Sequence, residues 1–166
     1  ESYHGTAKRV TLRNSSASTI DVRIPTGVRN GSKVRVAGKG EKGPNGHSGD
    51  LYLEISIKPH KLYRREKDDL HINIPVTFTE VALGAEVEVP TLSGKTRIKV
   101  PAGSQTGRLM RLRGKGMPRL KNRGYGDLFA KLDVVVPAEL NSREKKLLQE
   151  LQTLGSKNPR EDLGCS

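Results

Sequence analysis

The sequence of 166 residues has little cysteine, few aromatic side chains and no long apolar run. Its one cysteine, Cys165, lies next to the last residue, so the chain can form neither an internal disulfide nor a zinc site built from cysteines. Aromatic residues make up only 4%, which predicts cores built mainly from Val, Ile and Leu. No apolar stretch approaches the ~20 residues of a membrane-spanning helix. We therefore expect a soluble protein of a reducing compartment, the cytoplasm.

Acidic residues are in the minority, with 18 Asp and Glu against 30 Lys and Arg, and the formal net charge is +12. The excess is spread evenly, because residues 1–76 carry 14 basic and 8 acidic side chains and residues 77–166 carry 16 and 10. Clustered Lys and Arg gain binding energy by releasing phosphate counterions, so a nucleic-acid-binding β module is one interpretation. A solvated surface, or a site for acidic peptide, is the favoured one, since the few aromatic residues form no cluster for base stacking.

Motifs of catalysis are also missing. Neither a G-x-S-x-G nucleophile elbow nor a G-x-x-x-x-G-K-[ST] phosphate loop occurs. Asp68 and Asp69 are adjacent, which is more typical of a turn than of a carboxylate pair for acid–base catalysis. The four histidines are scattered without the spacing of metal ligands: His4, His47, His60 and His71. We expect no enzymatic activity, no metal and no cofactor.

What the sequence does contain is an internal repeat. Segments of the first half return in the second half at offsets of 76 to 79 residues. The matching segments, in chain order, are Val10 with Val89, Val22–Gly27 with Ile98–Gly103, Val34–Gly40 with Met110–Gly116, and Gly49–Tyr52 with Gly126–Phe129. Two related domains in tandem are therefore predicted.

Apolar and polar residues alternate in both copies, as they do in strands that bury one face. The clearest alternations run from Leu51 to Ile57 and from Leu128 to Val136. We predict a mainly β fold with two tandem, internally repeated β-sandwich or barrel-like domains, short helices and a C-terminal helix. The first domain is expected over residues 1–66, the second over residues 67–138, and the helix with a flexible tail over residues 139–166.

The glycine-rich stretch from Arg35 to Gly43 contains G-x-G-x-x-G, the spacing of a dinucleotide-binding loop. Such a loop binds phosphate because it leads into a helix N-terminus, whereas here Pro44 and polar residues precede a strand. The second copy also has no third glycine, since Arg119 lies in its place. We therefore interpret the stretch as a turn between strands, in which Gly38 and Gly40 supply unusual backbone angles.

A helix is predicted after Asn141, which can serve as the N-cap with Glu144 completing a capping box, and Gly155 is placed to end it. Its apolar stripe consists of four leucines: Leu147, Leu148, Leu151 and Leu154. A helix of this length is marginal in isolation, so the stripe must pack on another surface. The residues leave two surfaces open, namely the domain of the same chain and the same helix of a second subunit.

Several of these motifs together resemble the C-terminal substrate-binding region of DnaJ-type co-chaperones, over nearly the whole chain. The segments that carry the resemblance are Gly49–Tyr52, Pro59–His60, Asp68–Leu70, Ala82–Gly84, Val87–Leu92, Gly94, Arg113–Met117, Gly126–Leu128, Leu140–Asn141 and Lys146–Leu151. No His-Pro-Asp motif of a J-domain and no C-x-x-C-x-G-x-G repeat occurs. The chain therefore resembles the zinc-free subclass, with only Arg13 to Ser18 where a zinc-binding insertion would branch off.

The resemblance implies a fold, a function and partners. The implied fold has two barrel-like β domains, and the four leucines of the C-terminal helix pair two chains into a homodimer. The implied function is to bind unfolded polypeptides and to present them to a DnaK-type ATPase chaperone. Neither a membrane nor nucleic acid is implied as a partner. Without a J-domain, we do not expect the chain to stimulate that ATPase by itself.

The resemblance also assigns residues to a peptide site. In the family, non-native polypeptide is held in a groove of the first domain, beside the strand that matches Lys8–Leu12. By position, the residues that would line this groove are Val10, Leu12, Ile20 and Tyr63. The alternative is that the three aliphatic residues belong to an ordinary core.

Two basic residues in the same strand match a second family feature. Lys8 and Arg9 lie in the region that some zinc-free members use to bind the acidic tail of their ATPase partner. The second copy has Val87 and Glu88 at these positions. We therefore expect only the first domain to favour an anionic segment.

The repeat indicates one more feature, at the start of the first copy. The second copy is preceded by an apolar strand from Leu70 to Phe78, whereas the first copy has nothing before Glu1. We expect the parent chain to continue upstream with a strand that borders the groove, and an exposed sheet edge in its absence.

Overall fold

The computed structural model describes residues 3–12, 18–41, 47–119, 124–155 and 159–160. The chain divides into two compact units, Glu1–Val134 and Val135–Ser166. The elements of the described part, in chain order, are β1 (Thr6–Leu12), β2 (Ser18–Ile24), β3 (Lys33–Val36), β4 (Leu51–Glu54), β5 (Arg64–Glu66), β6 (Asp69–Thr77), α1 (Phe78–Leu83), β7 (Ala85–Thr91), β8 (Gly94–Val100), β9 (Leu109–Leu112), β10 (Leu128–Val135) and α2 (Ser142–Thr153). The predicted mainly β fold class is confirmed. The domain boundary expected after residue 66 falls in the turn between β5 and β6 and stays a prediction.

The repeat in the sequence is a repeat of strands in the structure. β1 pairs antiparallel with β2, so that Val10 lies opposite Ile20, and β7 pairs in the same way with β8, so that Val89 lies opposite Thr96. β3 pairs with β4, and β9 pairs with β10. We call β1–β4 the first repeat and β7–β10 the second repeat. Each strand of the first repeat has its counterpart in the second at the offset read from the sequence.

β6 and α1 close the core of the second repeat. β6 lies between β5 and β10 in a four-stranded sheet with the order β5-β6-β10-β9, and alternate residues of β6 are buried. These side chains pack with Val81 of α1 and with buried residues of β7, β8 and β10 in one cluster. Eleven of the fourteen buried hydrophobic residues in the described part of the chain belong to this cluster. The first repeat, which contributes Ile20, Val22 and Val28, has the smaller core.

Both helices begin with the same capping arrangement. At α2 the Asn141 side chain accepts a hydrogen bond from the Glu144 N–H at 2.9 Å, and the Glu144 carboxylate accepts one from the Asn141 N–H at 2.8 Å. Thr77 and Glu80 form the equivalent pair at α1, and these hydrogen bonds hold the pKa of Glu80 below its ordinary value. Gly155 follows α2 with a φ of 72°. The capped C-terminal helix predicted from the sequence is thus confirmed.

In the described part of the glycine-rich stretch of the first repeat, β3 ends in a turn at residues 37–38, as predicted, and a carboxylate holds this turn. Asp50 Oδ1 accepts a hydrogen bond from the Gly38 N–H at 3.1 Å. Asp50 Oδ2 accepts a second one from Arg35 Nε at 2.6 Å. The residues from Lys42 to Gly46 lie outside the described part. Residues 13–17, which belong to the segment where a zinc-binding insertion would branch off, lie outside it as well. A carboxylate of the chain itself therefore takes the Gly38 amide that a bound phosphate would need.

In the second repeat an equivalent carboxylate holds the corresponding turn. Asp127 accepts hydrogen bonds from the Gly114 N–H at 2.8 Å and from Arg111 Nε at 2.7 Å. These bonds, first that of Gly114 and then that of Arg111, hold the pKa of Asp127 below its ordinary value. The paired Arg and Asp of the two copies were visible in the sequence, but their contact was not anticipated.

A difference between the repeats appears at two equivalent glycines. A Cβ atom at Gly126 would overlap the carbonyl oxygen of Asp68, the same oxygen that accepts a hydrogen bond from the Met117 N–H at 2.8 Å. A Cβ atom at Gly49, the counterpart in the first repeat, would lie at an ordinary contact distance of 3.6 Å from the Glu41 carbonyl oxygen. Of these two positions, packing therefore requires glycine only at Gly126, where the residues that lead into β6 and β10 lie against each other.

Gly126→Ala is therefore expected to destabilise the protein by about 2 kcal/mol or more, because the methyl group fits only if β6 moves away from β10. Gly49→Ala is the matched control, and it should change the free energy of unfolding by less than about 0.5 kcal/mol. Urea denaturation followed by circular dichroism measures both values. Equal destabilisation by the two substitutions would contradict this account of the β6 contact.

Candidate functional site

An open groove of about 1760 Å³ runs along the first repeat. One wall consists of side chains from β1 and β2, among them Val10 and Ile24. The opposite wall includes Leu70 and Asn73 of β6 together with Leu109 of the second repeat. Residues between β4 and β6 connect the two walls. The groove therefore lies within the larger unit and is bounded by both repeats.

The direction of the side chains in the first wall follows from the strand period of two. Directly opposed residues of an antiparallel pair point to the same side of the sheet. The side that faces the groove is called the groove face, and the register places six residues on it: Thr6, Lys8, Val10, Ile20, Val22 and Ile24. Arg9 and Asp21 lie on the opposite face, since their positions alternate with these.

The structure brings two of the four predicted groove residues to the groove. Val10 and Tyr63 both line it, and both are half-buried. Ile20 lies opposite Val10 but is only 5% exposed, so it contributes to the small core of the first repeat. Leu12 ends β1 opposite Ser18, and only its backbone belongs to the described part. A role of these residues in peptide binding stays a prediction.

Tyr63 is held by the turn that precedes it. Its ring centroid lies 5.0 Å from that of His60, and His60 Nδ1 accepts hydrogen bonds from the Leu62 N–H at 3.1 Å and the Tyr63 N–H at 3.4 Å. Burial raises the pKa of the Tyr63 hydroxyl. The phenol therefore stays neutral and presents a ring with a polar tip to the groove.

The groove face has a closed counterpart in the second repeat. Val89, which corresponds to Val10, is 0% exposed and belongs to the core cluster with Val81 of α1 and Val76 of β6. In the first repeat, no strand or helix of the described part occupies the position that β6 and α1 occupy in the second. The groove is thus the open equivalent of a hydrophobic core.

The same difference leaves an open strand edge beside the groove. β10 has β9 on one side and β6 on the other, whereas β4 pairs only with β3 among the described strands. On β10, the ring of Phe129 stacks on that of His71 at 5.2 Å. Tyr52, its counterpart on β4, is 60% exposed. An open edge with apolar side chains next to it can accept an extended segment through main-chain hydrogen bonds.

The groove is strongly cationic. Its lining residues include a single acidic side chain, Glu54. The basic ones, apart from histidines, number eight: Lys8, Arg29, Lys58, Lys61, Arg64, Arg65, Lys67 and Lys131. Aliphatic side chains and cations thus share one surface, which suits an extended segment that carries both apolar and acidic residues.

The two basic residues predicted to bind an acidic tail lie on opposite faces of β1. Lys8 lines the groove. Arg9 points away from it and forms an ion pair with Asp21, its cross-strand partner, with Nε and Oδ1 separated by 3.0 Å. The second repeat has the charges exchanged at these two positions, where Glu88 lies opposite Arg97. This exchange, visible in the sequence, indicates that Arg9 balances Asp21 within the sheet.

The described residues offer no further centre of chemistry. Within the ranges that the structure describes, no group of three or more His, Cys, Asp or Glu side chains is arranged to bind a metal ion. Across the same ranges, no helix combines the length and the apolar character needed to cross a membrane. The groove is therefore the candidate site.

The smaller unit consists mainly of α2, whose apolar stripe is accessible. The exposed fractions are 56% for Leu147, 55% for Leu151 and 81% for Leu154, and Leu148 is half-buried. No residue of α2 is buried. The stripe predicted from the sequence is thus present as an exposed surface, and its role in dimer formation stays a prediction.

Comparisons with a family model and with curated proteins both relate this chain to DnaJ proteins. A family model for the DnaJ C terminal domain matches residues 1–137. Similar curated proteins include those named Chaperone protein DnaJ from Halalkalibacterium halodurans, 46% identical over 143 residues, and from Parageobacillus thermoglucosidasius, 49% identical over 137 residues. A third, from Methanothermobacter thermautotrophicus, is 46% identical over 148 residues. These alignments cover 86%, 82% and 89% of this chain but only 39%, 36% and 39% of the relatives.

Proposed function

The chain belongs to the DnaJ C-terminal domain family, and from this premise we propose that it binds extended segments of non-native polypeptide and presents them to a DnaK-type ATPase chaperone. The observation that carries the proposal is the open groove face of the first repeat, whose counterpart is a closed core in the second. The chain spans less than half the length of its relatives, so this role is that of a binding module within the activity of a larger protein. We propose binding without catalysis, in the cytoplasm.

The proposed binding mode follows from the surfaces beside the groove. Val10, Ile24 and Leu53 offer apolar contact, and burial of apolar area contributes roughly 25 cal/mol per Å². Main-chain pairing adds hydrogen bonds that do not depend on the sequence of the bound segment. Ordering an unfolded segment costs free energy that offsets much of this gain. The module should therefore bind weakly and tolerate many sequences.

Nucleic acid, the alternative considered from the net charge, receives no support from the comparisons. The Lys and Arg side chains of the groove share its lining with aliphatic side chains and with a single Tyr ring, that of Tyr63, rather than with a series of aromatic rings for stacking. A polypeptide partner fits this combination better.

Val10→Asp should weaken binding of a reduced and carboxymethylated polypeptide by roughly tenfold, because a carboxylate replaces apolar contact area on the groove face. Thr11→Asp is the matched control. Thr11 is exposed on the opposite face of β1, so the same charge there should change the affinity by less than about twofold. Fluorescence anisotropy with a labelled polypeptide gives both dissociation constants, and circular dichroism verifies that each variant is folded.

An equal loss in the two variants would exclude the groove face as the binding surface. The same titration with single-stranded DNA, at several salt concentrations, tests the alternative. Binding of DNA with a steep salt dependence, together with no binding of unfolded polypeptide, would replace the proposal by that alternative.

The acidic-tail contact is proposed for Lys8 alone. Lys8 faces the groove with its other cations, whereas Arg9 lies on the other side of the sheet. Lys8→Glu is expected to weaken binding of a peptide that ends in several acidic residues by roughly fivefold or more. Arg9→Glu changes the net charge equally and should have less than half of that effect. Isothermal titration calorimetry at low salt measures both, and an equal or larger loss with Arg9→Glu would contradict the assignment.

The dimer is proposed to form through the leucine stripe of α2. A helix of 12 residues with an exposed stripe gains stability when the stripe is covered. Leu147→Ser with Leu151→Ser should convert a dimer into a monomer in sedimentation velocity experiments at micromolar concentration. Gln149→Ser with Gln152→Ser, which leaves the leucines intact, should remain dimeric. A wild-type chain that sediments as a monomer, or a control pair that dissociates equally, would overturn this part of the proposal.

A further inference from the structure

Several polar contacts join the first repeat to the hairpin of β5 and β6. On one side lies the turn Gly27–Arg29, which follows β2. On the other side lies the hairpin of β5 and β6, whose strands pair from Arg64↔His71 to Glu66↔Asp69. We call these two segments together the joint. The two walls of the groove meet there, since Val28, Arg65 and Leu70 are all among its lining residues.

Arg65 is the centre of the joint. Its Nη1 donates a hydrogen bond to the Val28 carbonyl oxygen at 2.7 Å, and its Nη2 donates one to the Gly27 carbonyl oxygen at 3.0 Å. Its Nε donates a third to the Lys67 carbonyl oxygen at 2.7 Å. The side chain is 19% exposed. One planar guanidinium thus connects the turn of the first repeat to the hairpin turn that precedes β6, in a geometry that a lysine ammonium cannot reproduce.

Two further features of the joint are an ion pair and a strained backbone residue. Arg29 Nη2 contacts the Asp68 carboxylate at 2.9 and 3.1 Å, which gives a second connection between the same two segments. Lys67 has a φ of 54°, in the left-handed region that costs a non-glycine residue roughly 1 kcal/mol. The hydrogen bond from Arg65 Nε fixes the carbonyl group of this strained residue.

The contacts of Arg65 are not part of the repeated β architecture. The residue of the second repeat that corresponds to Val28 is Ser104. Its hydroxyl donates to the Pro101 carbonyl oxygen at 2.6 Å, and its N–H donates to the Val81 carbonyl oxygen of α1 at 3.2 Å. The turn of the second repeat is therefore held by its own residues and by α1. The turn of the first repeat is held by Arg65 from outside the repeat.

We propose that Arg65, supported by the Arg29–Asp68 ion pair, is a positioning residue for the groove. It sets the orientation of the first repeat relative to β6 and the second repeat, and thereby the separation of the groove walls. It does so without belonging to the predicted peptide-binding set. The consequence for peptide affinity rests on the proposed function, whereas the consequence for the orientation of the repeats does not.

The test compares Arg65→Lys with Arg113→Lys, which makes the same change at an exposed arginine of the second repeat that does not line the groove. Spin labels are attached at Arg23→Cys and Lys99→Cys, two exposed and equivalent positions on β2 and β8, in a Cys165→Ser background. Double electron–electron resonance then gives the distribution of distances between the repeats. Arg65→Lys is expected to broaden or shift this distribution, and Arg113→Lys should leave it as in the wild type.

Peptide affinity is the second readout. Arg65→Lys should weaken binding of the carboxymethylated polypeptide by about tenfold, since two hydrogen bonds of a charged group across the joint are lost, while Arg113→Lys should change it by less than about twofold. Asp68→Asn removes the ion pairs of this carboxylate with Arg29 and Arg65 but leaves the hydrogen bonds of Arg65 to the three carbonyl groups, so it should broaden the distances to a smaller extent. If Arg65→Lys does not fold, the distance distribution of Asp68→Asn tests the role of the joint instead.

Unchanged distances in Arg65→Lys, or in Asp68→Asn where Arg65→Lys is unfolded, would overturn the inference. Broadened distances in a protein that binds no polypeptide in its wild-type form would support the joint and refute the proposed function instead. Broadened distances with unchanged affinity would overturn the link between the joint and the groove.

Discussion

A two-stranded antiparallel sheet has one apolar face and cannot cover it alone, and this constraint governs the whole larger unit. In the second repeat this face is covered by β6, which pairs with β10 and contributes four residues to a common core: Leu70, Ile72, Ile74 and Val76. The first repeat presents the same kind of face to the groove. One unit of sequence, used twice, thus yields a core in one place and a candidate site in the other. The difference lies in what covers the sheet, because the strands themselves correspond one to one.

Polar contacts set the positions of the strands that carry these faces. In each repeat a carboxylate, Asp50 or Asp127, binds both an arginine and a glycine amide, and so fixes the turn that leads from one strand to the next. Charge-assisted hydrogen bonds of this kind are shorter and stronger than neutral ones. The turn can therefore carry several glycines without losing its shape. Arg65 plays a comparable part, because two of its three hydrogen bonds join the turn after β2 to the hairpin of β5 and β6.

Much of the fold could be predicted from the sequence because its causes are local or periodic. The alternation of apolar residues indicated the strands, and the offsets of the repeat fixed which strands correspond. Asn141 and Glu144 were recognised as a capping box since both partners lie within one helical turn. The resemblance to the family added the region of the groove. These inferences needed only spacing along the chain.

The parts that could not be predicted depend on faces and on contacts between distant segments. Lys8 and Arg9 are adjacent in sequence and were treated as one basic pair, yet adjacent residues of a strand point to opposite sides. Only the register with β2 reveals that Arg9 meets Asp21. Ile20 was assigned to the groove with Val10, but its 5% exposure makes it a core residue of the same face. Arg65 reaches carbonyl groups 37 and 38 residues away, a distance over which no local pattern operates.

The mixture of aliphatic and cationic side chains in the groove has a physical reason as well as a use. A face that is purely aliphatic and open to water would favour self-association. Lys8, placed between Thr6 and Val10, keeps a charge within that face, and long basic side chains can cover apolar surface with their methylene groups while the charged end stays in water. Such a surface remains accessible to an extended segment that displaces those side chains. The basic side chains that oppose self-association of this face are therefore the same ones that give the groove a preference for segments with negative charge.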